Sequence, residues 1–210
     1  MLYIRLLELG IQSLSFYSLF KWGIAGFPWY LSDWQAFGAV LTTVLLVMSH
    51  FRTHDDGYDN LVKALYEIAL PYAAAATLIY WTTYEIPEIT SDWNTWVYPF
   101  FMHVAPIVGL LIDFIFNDIT FDWKRGVWRN LWALLAYYPL NYFSNEVWGE
   151  YAYSFITWDS FSTVTWLTVT AVIELGFFYG FAFLNNYWKN GTGVAHLQSQ
   201  FINLIKAGGL

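Results

Sequence analysis

Six long apolar stretches take up most of this chain of 210 residues. They cover residues 6–27, 34–51, 61–84, 96–116, 127–143 and 162–188. A helix that crosses a bilayer needs about 20 consecutive, mostly apolar residues. The stretches are continuous and show no alternation of apolar and polar residues, so they indicate helices and not strands. The sequence therefore predicts an all-α membrane protein, a six-transmembrane-helix bundle over residues 1–188.

The composition excludes several other classes of protein. Only 12% of the residues are charged, whereas a typical soluble domain has about 25%. One small core cannot hide 13 Trp, 16 Tyr and 18 Phe. The net charge of −7 argues against nucleic acid as a partner. Because the chain has no cysteine, it forms no disulfide and no iron–sulfur cluster. We therefore expect membrane lipids as partners.

The basic residues segregate to one side of the predicted bundle. With six spans, the N-terminus, the second and fourth loops and the C-terminal end share that side. It holds eight of the nine Lys and Arg residues: Arg5, Arg52, Lys63, Lys124, Arg125, Arg129, Lys189 and Lys206. The positive-inside rule then places both termini in the cytoplasm or in the mitochondrial matrix. The pattern fits the mitochondrial inner membrane and the endoplasmic reticulum equally well.

Residues 189–210 lie beyond the sixth stretch. Their apolar residues recur near helical spacing, at Val194, Leu197, Phe201 and Leu204. This spacing predicts an amphipathic C-terminal tail that lies on the membrane or on a partner. A frayed polar tail is the alternative, because several glycines lie nearby.

Ionisable residues inside a predicted span are the first candidates for function, because each costs free energy unless it is paired or hydrated. Four such residues are candidates: Glu67, His103, Asp113 and Glu174. Lys63 lies four residues before Glu67, which predicts an ion pair on one helix face. We expect Asp113 to meet Arg125 or Arg129. Glu174 has no evident basic partner, so both a protonated structural carboxyl and a proton-relay role stay open.

Thr42 and His103 form the candidate catalytic pair. Thr42 lies eight residues after Trp34 and His103 seven residues after Trp96, about 12 and 10 Å below the interface. A threonine hydroxyl beside a neutral imidazole is the smallest pair that performs acyl transfer. The other interpretation is structural: a histidine that bonds two helices, and a threonine bonded to its own helix backbone.

The segment around the histidine resembles a known family. Met-His-Val-Ala-Pro at 102–106, with Asp113 ten residues past His103, is similar to the histidine-containing span of the androgen-inducible family of multispanning membrane proteins. Pro71 followed by Trp81 and Tyr84 resembles the preceding span of that family. The resemblance implies a six-span bundle. The family's animal members hydrolyse fatty acid esters of hydroxy fatty acids through a threonine and a histidine.

Two further motifs extend the resemblance from about Trp34 to Trp188. Residues 151–155, Tyr-Ala-Tyr-Ser-Phe, are similar to the family's aromatic loop before the last span. Residues 184–187, Leu-Asn-Asn-Tyr, resemble its closing motif. Each motif is short. The resemblance to the family rests on the order and spacing of the motifs taken together.

The family's nucleophile is the point at which this sequence departs. In the family a threonine follows the second-span Trp by four residues, in a Trp-x-x-Leu-Thr pattern. Here that position holds Gly38, and the dipeptide Leu41-Thr42 lies one helical turn deeper. The resemblance therefore carries over His103 but not the threonine.

Two functions follow from these observations. The first is an accessory or structural subunit of a larger membrane complex, which binds lipid and keeps the family scaffold without its chemistry. A respiratory-chain or similar energy-coupling complex fits as host. The second is an intramembrane hydrolase of lipid esters that uses Thr42 and His103. His50 and His54 have the i, i+4 spacing of a metal pair, but they lie at a helix end and in a polar loop, which disfavours metal binding. No phosphate-binding motif is present, so we expect no cofactor. A transporter is disfavoured, because the sequence shows no internal repeat and no line of ionisable residues across the membrane.

Overall fold

The part of the chain that the structure describes is mostly helical. The structure is a computed structural model, and it describes residues 1–18, 20, 28–53, 55–83, 99–149, 151–153 and 155–190. Among these residues the structure gives six α-helices: α1 Leu2–Ser18, α2 Leu31–Met48, α3 Asp56–Thr83, α4 Ala105–Phe116, α5 Trp123–Trp148 and α6 Phe161–Asn190. These residues contain no strand. The prediction of an all-α chain is therefore confirmed for them.

Three helices are long and apolar enough to cross a membrane. They are Leu31–Phe51, which is α2 with the 3-10 turn that follows it, Asp56–Thr83 and Phe161–Lys189. The helix Ala105–Phe116 is apolar but shorter. By length and composition, the chain thus carries three candidate membrane spans among its described residues.

The helix ends differ from the predicted apolar stretches where polar residues belong to a helix. Helix α3 begins at Asp56, whereas its apolar stretch begins at residue 61. Helix α5 runs from Trp123 to Trp148 and so extends beyond 127–143 at both ends. Asp122 explains its early start, because the carboxylate accepts the backbone N–H groups of Lys124 and Arg125 at 3.0 Å each. Hydropathy locates a helix, but capping decides where it begins.

The fourth stretch contains a break next to its histidine. Residues 99–103 are helical, Val104 forms a turn, and α4 resumes at Ala105 with Pro106 in its first turn. Proline has no N–H group and disfavours helical backbone in the residue before it. The break therefore follows from the sequence, and it frees backbone carbonyls beside His103.

Several predictions fall on residues outside the described ones. These are residues 21–27 at the end of the first stretch, His54, Tyr84, residues 96–98 at the start of the fourth stretch, Ser154 of the aromatic motif and the amphipathic tail from residue 191 to 210. They stay predictions.

Helix α3 is the centre of the bundle, with α2, α4, α5 and α6 packed around it. Four successive alanines, Ala73 to Ala76, are all buried and allow the neighbouring helices to approach closely. Tyr66 donates to the carbonyl of Leu110, and Phe178 of α6 completes the same apolar cluster. This core fixes α4 against α3 and so positions the segment that contains His103.

Helix α1 reverses the usual arrangement of a soluble helix. Its buried residues are all polar: Arg5, Glu8, Gln12, Ser15 and Ser18. The exposed side carries large apolar side chains instead, with Tyr3 86% and Leu7 62% exposed. An amphipathic helix of a soluble protein faces its apolar stripe inward. The inversion is the arrangement expected of a helix whose outer face meets lipid.

Candidate functional site in the polar interior

The buried polar stripe of α1 faces α2 and α4, and these three helices with the 99–103 segment enclose a polar interior. Arg5 of α1 contacts Leu46 of α2 and Asp113 of α4, both near the helix C-termini. Gln12, two turns later in α1, reaches Pro106 at the start of α4. Helix α1 therefore runs antiparallel to both α2 and α4, and α2 and α4 run in the same direction.

One end of the interior is closed by a buried ion pair. The Arg5 guanidinium lies 2.9 Å from the carboxylate of Asp113, and both side chains are almost fully buried. Arg5 also donates to the carbonyl of Leu46 at 3.1 Å and to the ring of His50 at 3.0 Å. Asn117 donates to the second carboxylate oxygen of Asp113 at 2.7 Å. Every charge here has a partner.

The predicted partners of Asp113 were therefore wrong. Arg129 pairs with Glu67, and Arg125 pairs with Asp122 at 3.8 Å on the surface. The cation that meets Asp113 is Arg5, which is 108 residues away in sequence. Antiparallel packing of α1 against α4 brings the two residues to the same end of the bundle.

The middle of the interior joins α1 to the two other helices. The hydroxyl of Thr43 donates to the carboxyl of Glu8 at 2.7 Å, and Gln12 donates to the carbonyl of Pro106 at 3.0 Å. Gly109 allows this close approach. A Cβ atom at position 109 would lie 2.6 Å from the amide nitrogen of Gln12 and 3.1 Å from Glu8 Cγ.

His103 lies at the other end of the interior, held by its backbone and its ring. Gln35 of α2 donates to its carbonyl at 3.4 Å, and Thr77 of α3 donates to the same oxygen. The imidazole stacks on Tyr80, with ring centroids 3.5 Å apart and ring planes at 11°. His103 is buried, and its Nδ1 atom has no hydrogen-bond partner among the described residues.

Thr42 is fully buried in the same interior, and its hydroxyl also has no partner among the described residues. The hydroxyl is therefore not hydrogen-bonded to His103 in this structure. Glu8 contacts Thr43 on α2 and lies beside Gly109 on α4, so these positions share one depth. His103 lies six residues before Gly109, about 9 Å away along the helix axis. Thr42 thus lies more than one helical turn deeper than His103.

Gly38 lies nearer to the depth of the histidine than Thr42 does. It is three residues after Gln35, whose side chain reaches the His103 carbonyl. Gly38 is half-buried, and a Cβ atom there would meet no described atom within 4 Å. Among the described residues, nothing obstructs a small side chain at position 38.

Six buried polar atoms of the interior have no hydrogen-bond partner among the described residues. They are Glu8 Oε2, Gln12 Oε1, Ser15 Oγ, Gln35 Oε1, Thr42 Oγ1 and His103 Nδ1. Buried polar atoms of this kind are usually satisfied by protein or by ordered water. Chemically, this interior suits water or the polar group of a ligand. The described residues contain no cluster of three His, Cys, Asp or Glu that could hold a metal ion.

Glu67 belongs to a separate ion-pair cluster between α3 and the start of α5. It pairs with Arg129 and accepts the backbone N–H of Asp122 at 2.6 Å. The predicted partner Lys63 lies 3.9 Å away, one turn earlier on α3. These contacts tie α3 to the start of α5, which is a structural role.

Glu174 is 1% exposed in the middle of α6. The phenol groups of Tyr72 and Tyr138 interact with it electrostatically. Its Oε1 atom has no hydrogen-bond partner among the described residues. The two interpretations of Glu174, structural carboxyl and proton relay, both stay predictions.

Sequence reasoning missed most of the polar interior. Arg5 was counted only among the basic residues of one side, and Glu8, Gln12 and Gln35 were not considered as site residues. The signal was present in α1, where polar residues recur every three or four positions, the spacing of one helix face.

Residues 184–187 and 151–155, which the sequence analysis singled out as motifs, include side chains with structural roles. Asn185 accepts the N–H of Phe121 at 3.1 Å and donates to the carbonyl of Ile119 at 2.8 Å. It thereby holds the loop between α4 and α5. The hydroxyl of Tyr153 accepts the N–H of Leu31 at 2.8 Å, which anchors the loop before α6 to the start of α2.

Comparison of the chain with protein-family models, with curated proteins and with solved structures finds no match.

Proposed function

We propose that this protein is an integral membrane protein that serves as a non-catalytic structural subunit of a larger membrane assembly. In this proposal it is a six-span bundle with both termini on the positive-inside side, and it binds lipid on its outer surface. Its resemblance to the androgen-inducible family is part of the proposal: the scaffold is kept and the ester chemistry is lost.

Three observations support the membrane placement. Three helices have the length and apolar character of membrane spans. Helix α1, although shorter, buries its polar residues and exposes its apolar ones. Large apolar side chains are also exposed on α5 and α6, where Trp132 is 66% and Phe183 61% exposed. Such a surface is stable against lipid or partner helices and costs free energy in water.

The depth of Thr42 relative to His103 is the observation that carries the non-catalytic proposal. A nucleophile and its base must come within hydrogen-bond reach, about 2.6–3.2 Å. Thr42 lies more than a turn deeper, the family's position holds Gly38, and the His103 ring is stacked on Tyr80. Arg5, Glu8, Gln12 and Gln35 of the interior each bond to a neighbouring helix or segment, as structural residues do.

A turnover assay tests this proposal. The purified protein in detergent is incubated with a fatty acid ester of a hydroxy fatty acid, and free fatty acid is measured. We expect release no faster than with the His103→Ala variant. Release that is abolished by Thr42→Ala, and separately by His103→Ala, would contradict the proposal.

The size of the native particle tests the assembly. Membranes are solubilised in a gentle detergent, and the protein is followed by native electrophoresis. We expect it to migrate with a particle several times larger than its own 24.5 kDa. Migration as a lone monomer would argue against a subunit role.

The hydrolase stays a second candidate, because the Thr42 hydroxyl and His103 Nδ1 are both buried and without partners among the described residues. Gly38→Thr offers a sharper test than removal of either group. It returns a hydroxyl to the family's position, where a new Cβ has space. Ester turnover that appears in Gly38→Thr and vanishes in Gly38→Thr with His103→Ala would show that the scaffold retains the remaining machinery.

A further inference from the structure

A groove with a volume of about 420 Å³ opens on the outer surface between α5 and α6. Its walls are aromatic and aliphatic, and they include Trp128, Trp132 and Leu135 on α5 and Leu167 and Ala171 on α6. Trp128 is 63% exposed and Trp132 66% exposed. The groove is therefore open along its length to whatever surrounds the protein.

The shape of the groove follows from the way α5 and α6 meet. At one end the helices touch closely, because Gly126 has no side chain and the Phe178 ring fills the space beside it. Further along, the hydroxyl of Tyr138 donates to the carbonyl of Leu167 at 2.9 Å and forms part of the floor. Between these two contacts the small side chain of Ala171 leaves room for a chain-like apolar group.

Two basic residues continue the α5 wall of the groove. Lys124 and Arg125 precede Trp128 by four and three residues, so they lie on the same helix face. Both are exposed at the start of α5. Arg125 is paired only with the exposed Asp122, at 3.8 Å, and Lys124 has no ion pair with a described residue. The α5 side of the apolar groove thus leads to two exposed cations.

We propose that this groove binds an acyl chain of an anionic phospholipid whose phosphate is held by Lys124 and Arg125. The occupant follows from charge and geometry. Basic residues directly beside a membrane helix attract anionic lipids, and exposed Trp residues mark the level of the headgroups. A zwitterionic lipid offers the same chains but no net charge for the two cations. The site depends on the proposed membrane placement of the bundle, and it does not depend on the absence of catalysis.

Lipid retention tests the site. The protein in mild detergent is mixed with equal amounts of phosphatidylglycerol and phosphatidylcholine that carry identical chains, and retained lipid is counted by native mass spectrometry. We expect the wild type to prefer phosphatidylglycerol. Lys124→Gln with Arg125→Gln should reduce that preference by roughly tenfold or more, because each cation near the surface contributes to anionic lipid binding. Ala171→Phe fills the groove and should reduce retention of both lipids.

Two matched controls make the test specific. Arg52→Gln removes an exposed cation that lies over the Tyr58 ring, outside the groove. Val172→Phe introduces the same phenyl ring as Ala171→Phe, but at the next residue of α6. That position is exposed and does not line the groove. Both controls should retain lipid as the wild type does. Unchanged thermal unfolding of all variants excludes misfolding as the cause.

Two outcomes would overturn the site. One is equal retention of both lipids by the wild type, and the other is an unchanged preference in the Lys124→Gln and Arg125→Gln variant. A protein recovered with membranes that shows no preference overturns the site and leaves the proposed function standing. A protein recovered in the soluble fraction overturns both.

Discussion

At the scale of single residues, the polar interior depends most on Arg5. Its guanidinium bonds to Asp113 on α4 and to the carbonyl of Leu46 on α2, so one side chain joins three helices. The desolvation cost of a buried ion pair largely offsets the attraction between its charges. Loss of one partner is far more costly, because the other charge stays buried and unpaired.

This asymmetry gives a prediction for the Arg5 and Asp113 variants. Arg5→Met and Asp113→Leu should each lower the free energy of unfolding by about 3–5 kcal/mol, whereas the double variant should lie close to the wild type. Thermal unfolding in detergent, followed by Trp fluorescence, measures this. Arg52→Met is the matched control, since Arg52 is exposed. A double variant as unstable as both single variants combined would argue against a specific pair.

Asp122 gives a second prediction, with a defined pH dependence. The backbone N–H groups of Arg125 and Lys124 hold the pKa of this carboxyl below its ordinary value of 3.8. A lowered pKa in the folded state means that the charged cap stabilises above the ordinary pKa, and that this contribution is lost as the pH falls through the folded value. Asp122→Ala should cost about 0.5–2 kcal/mol near neutral pH.

Asp122→Ser separates capping from charge. A serine hydroxyl still caps the helix, so this variant should keep most of the stability near neutral pH. The difference in stability between the wild type and Asp122→Ser should shrink below about pH 4, as measured by thermal unfolding across pH. A difference that stays constant down to pH 2 would show that the charge of Asp122 contributes nothing.

At the scale of helices, the close contact between α5 and α6 depends on Gly126. A Cβ atom at this position would collide with the ring of Phe178, which is fully buried in the central apolar cluster. A ring packed on all sides cannot move aside without disturbing its neighbours. The absence of a side chain at residue 126 therefore sets the spacing of the two helices.

The prediction is that Gly126→Ala destabilises the protein by about 1–3 kcal/mol through overpacking. Gly180→Ala is the matched control on α6, since a Cβ there would meet no described atom within 4 Å. It should be neutral or stabilising by up to about 1 kcal/mol, because alanine suits a helix better than glycine. Thermal unfolding of both variants measures the difference. Equal effects of the two substitutions would contradict the contact.

The helices were predictable from the sequence to the extent that apolar residues mark them. The stretches 34–51 and 162–188 differ from the observed helical segments by only a few residues. The ends of the helices were not predictable in this way. Helix α5, for example, begins where Asp122 caps it, several residues before its apolar stretch begins. The partner of Asp113 was not predictable either. It depends on which helices become neighbours, and hydropathy carries no signal for a contact over 108 residues.

In the candidate site, too, some features were predictable from the sequence and others were not. The sequence identified His103, Thr42 and the proline break at 106 as features of one buried region. Counting from Trp34 and Trp96 placed Thr42 and His103 at nearly the same depth, about 12 and 10 Å. The structure differs, because relative depth depends on how α2 slides along α4. That offset is set by contacts such as Thr43 with Glu8 and Gln35 with the His103 carbonyl.

At the scale of the whole molecule, ion pairs lie inside the bundle and large apolar side chains lie on its outer surface. Two buried ion pairs join helices, Arg5 with Asp113 and Arg129 with Glu67. The exposed surfaces of α1, α5 and α6 carry aromatic and aliphatic residues. In a bilayer this arrangement minimises the number of polar groups that face hydrocarbon. It is the basis of the six-span proposal.

Cysteine labelling tests the six-span bundle most directly, because the chain has no cysteine of its own. Asp55→Cys, Asp118→Cys and Asp159→Cys each introduce one thiol at an exposed loop position. A membrane-impermeant maleimide is added to sealed vesicles of each orientation. In a six-span bundle, residues 55 and 118 should react from one side of the membrane and residue 159 only from the opposite side. Reaction of all three thiols from the same side would contradict it.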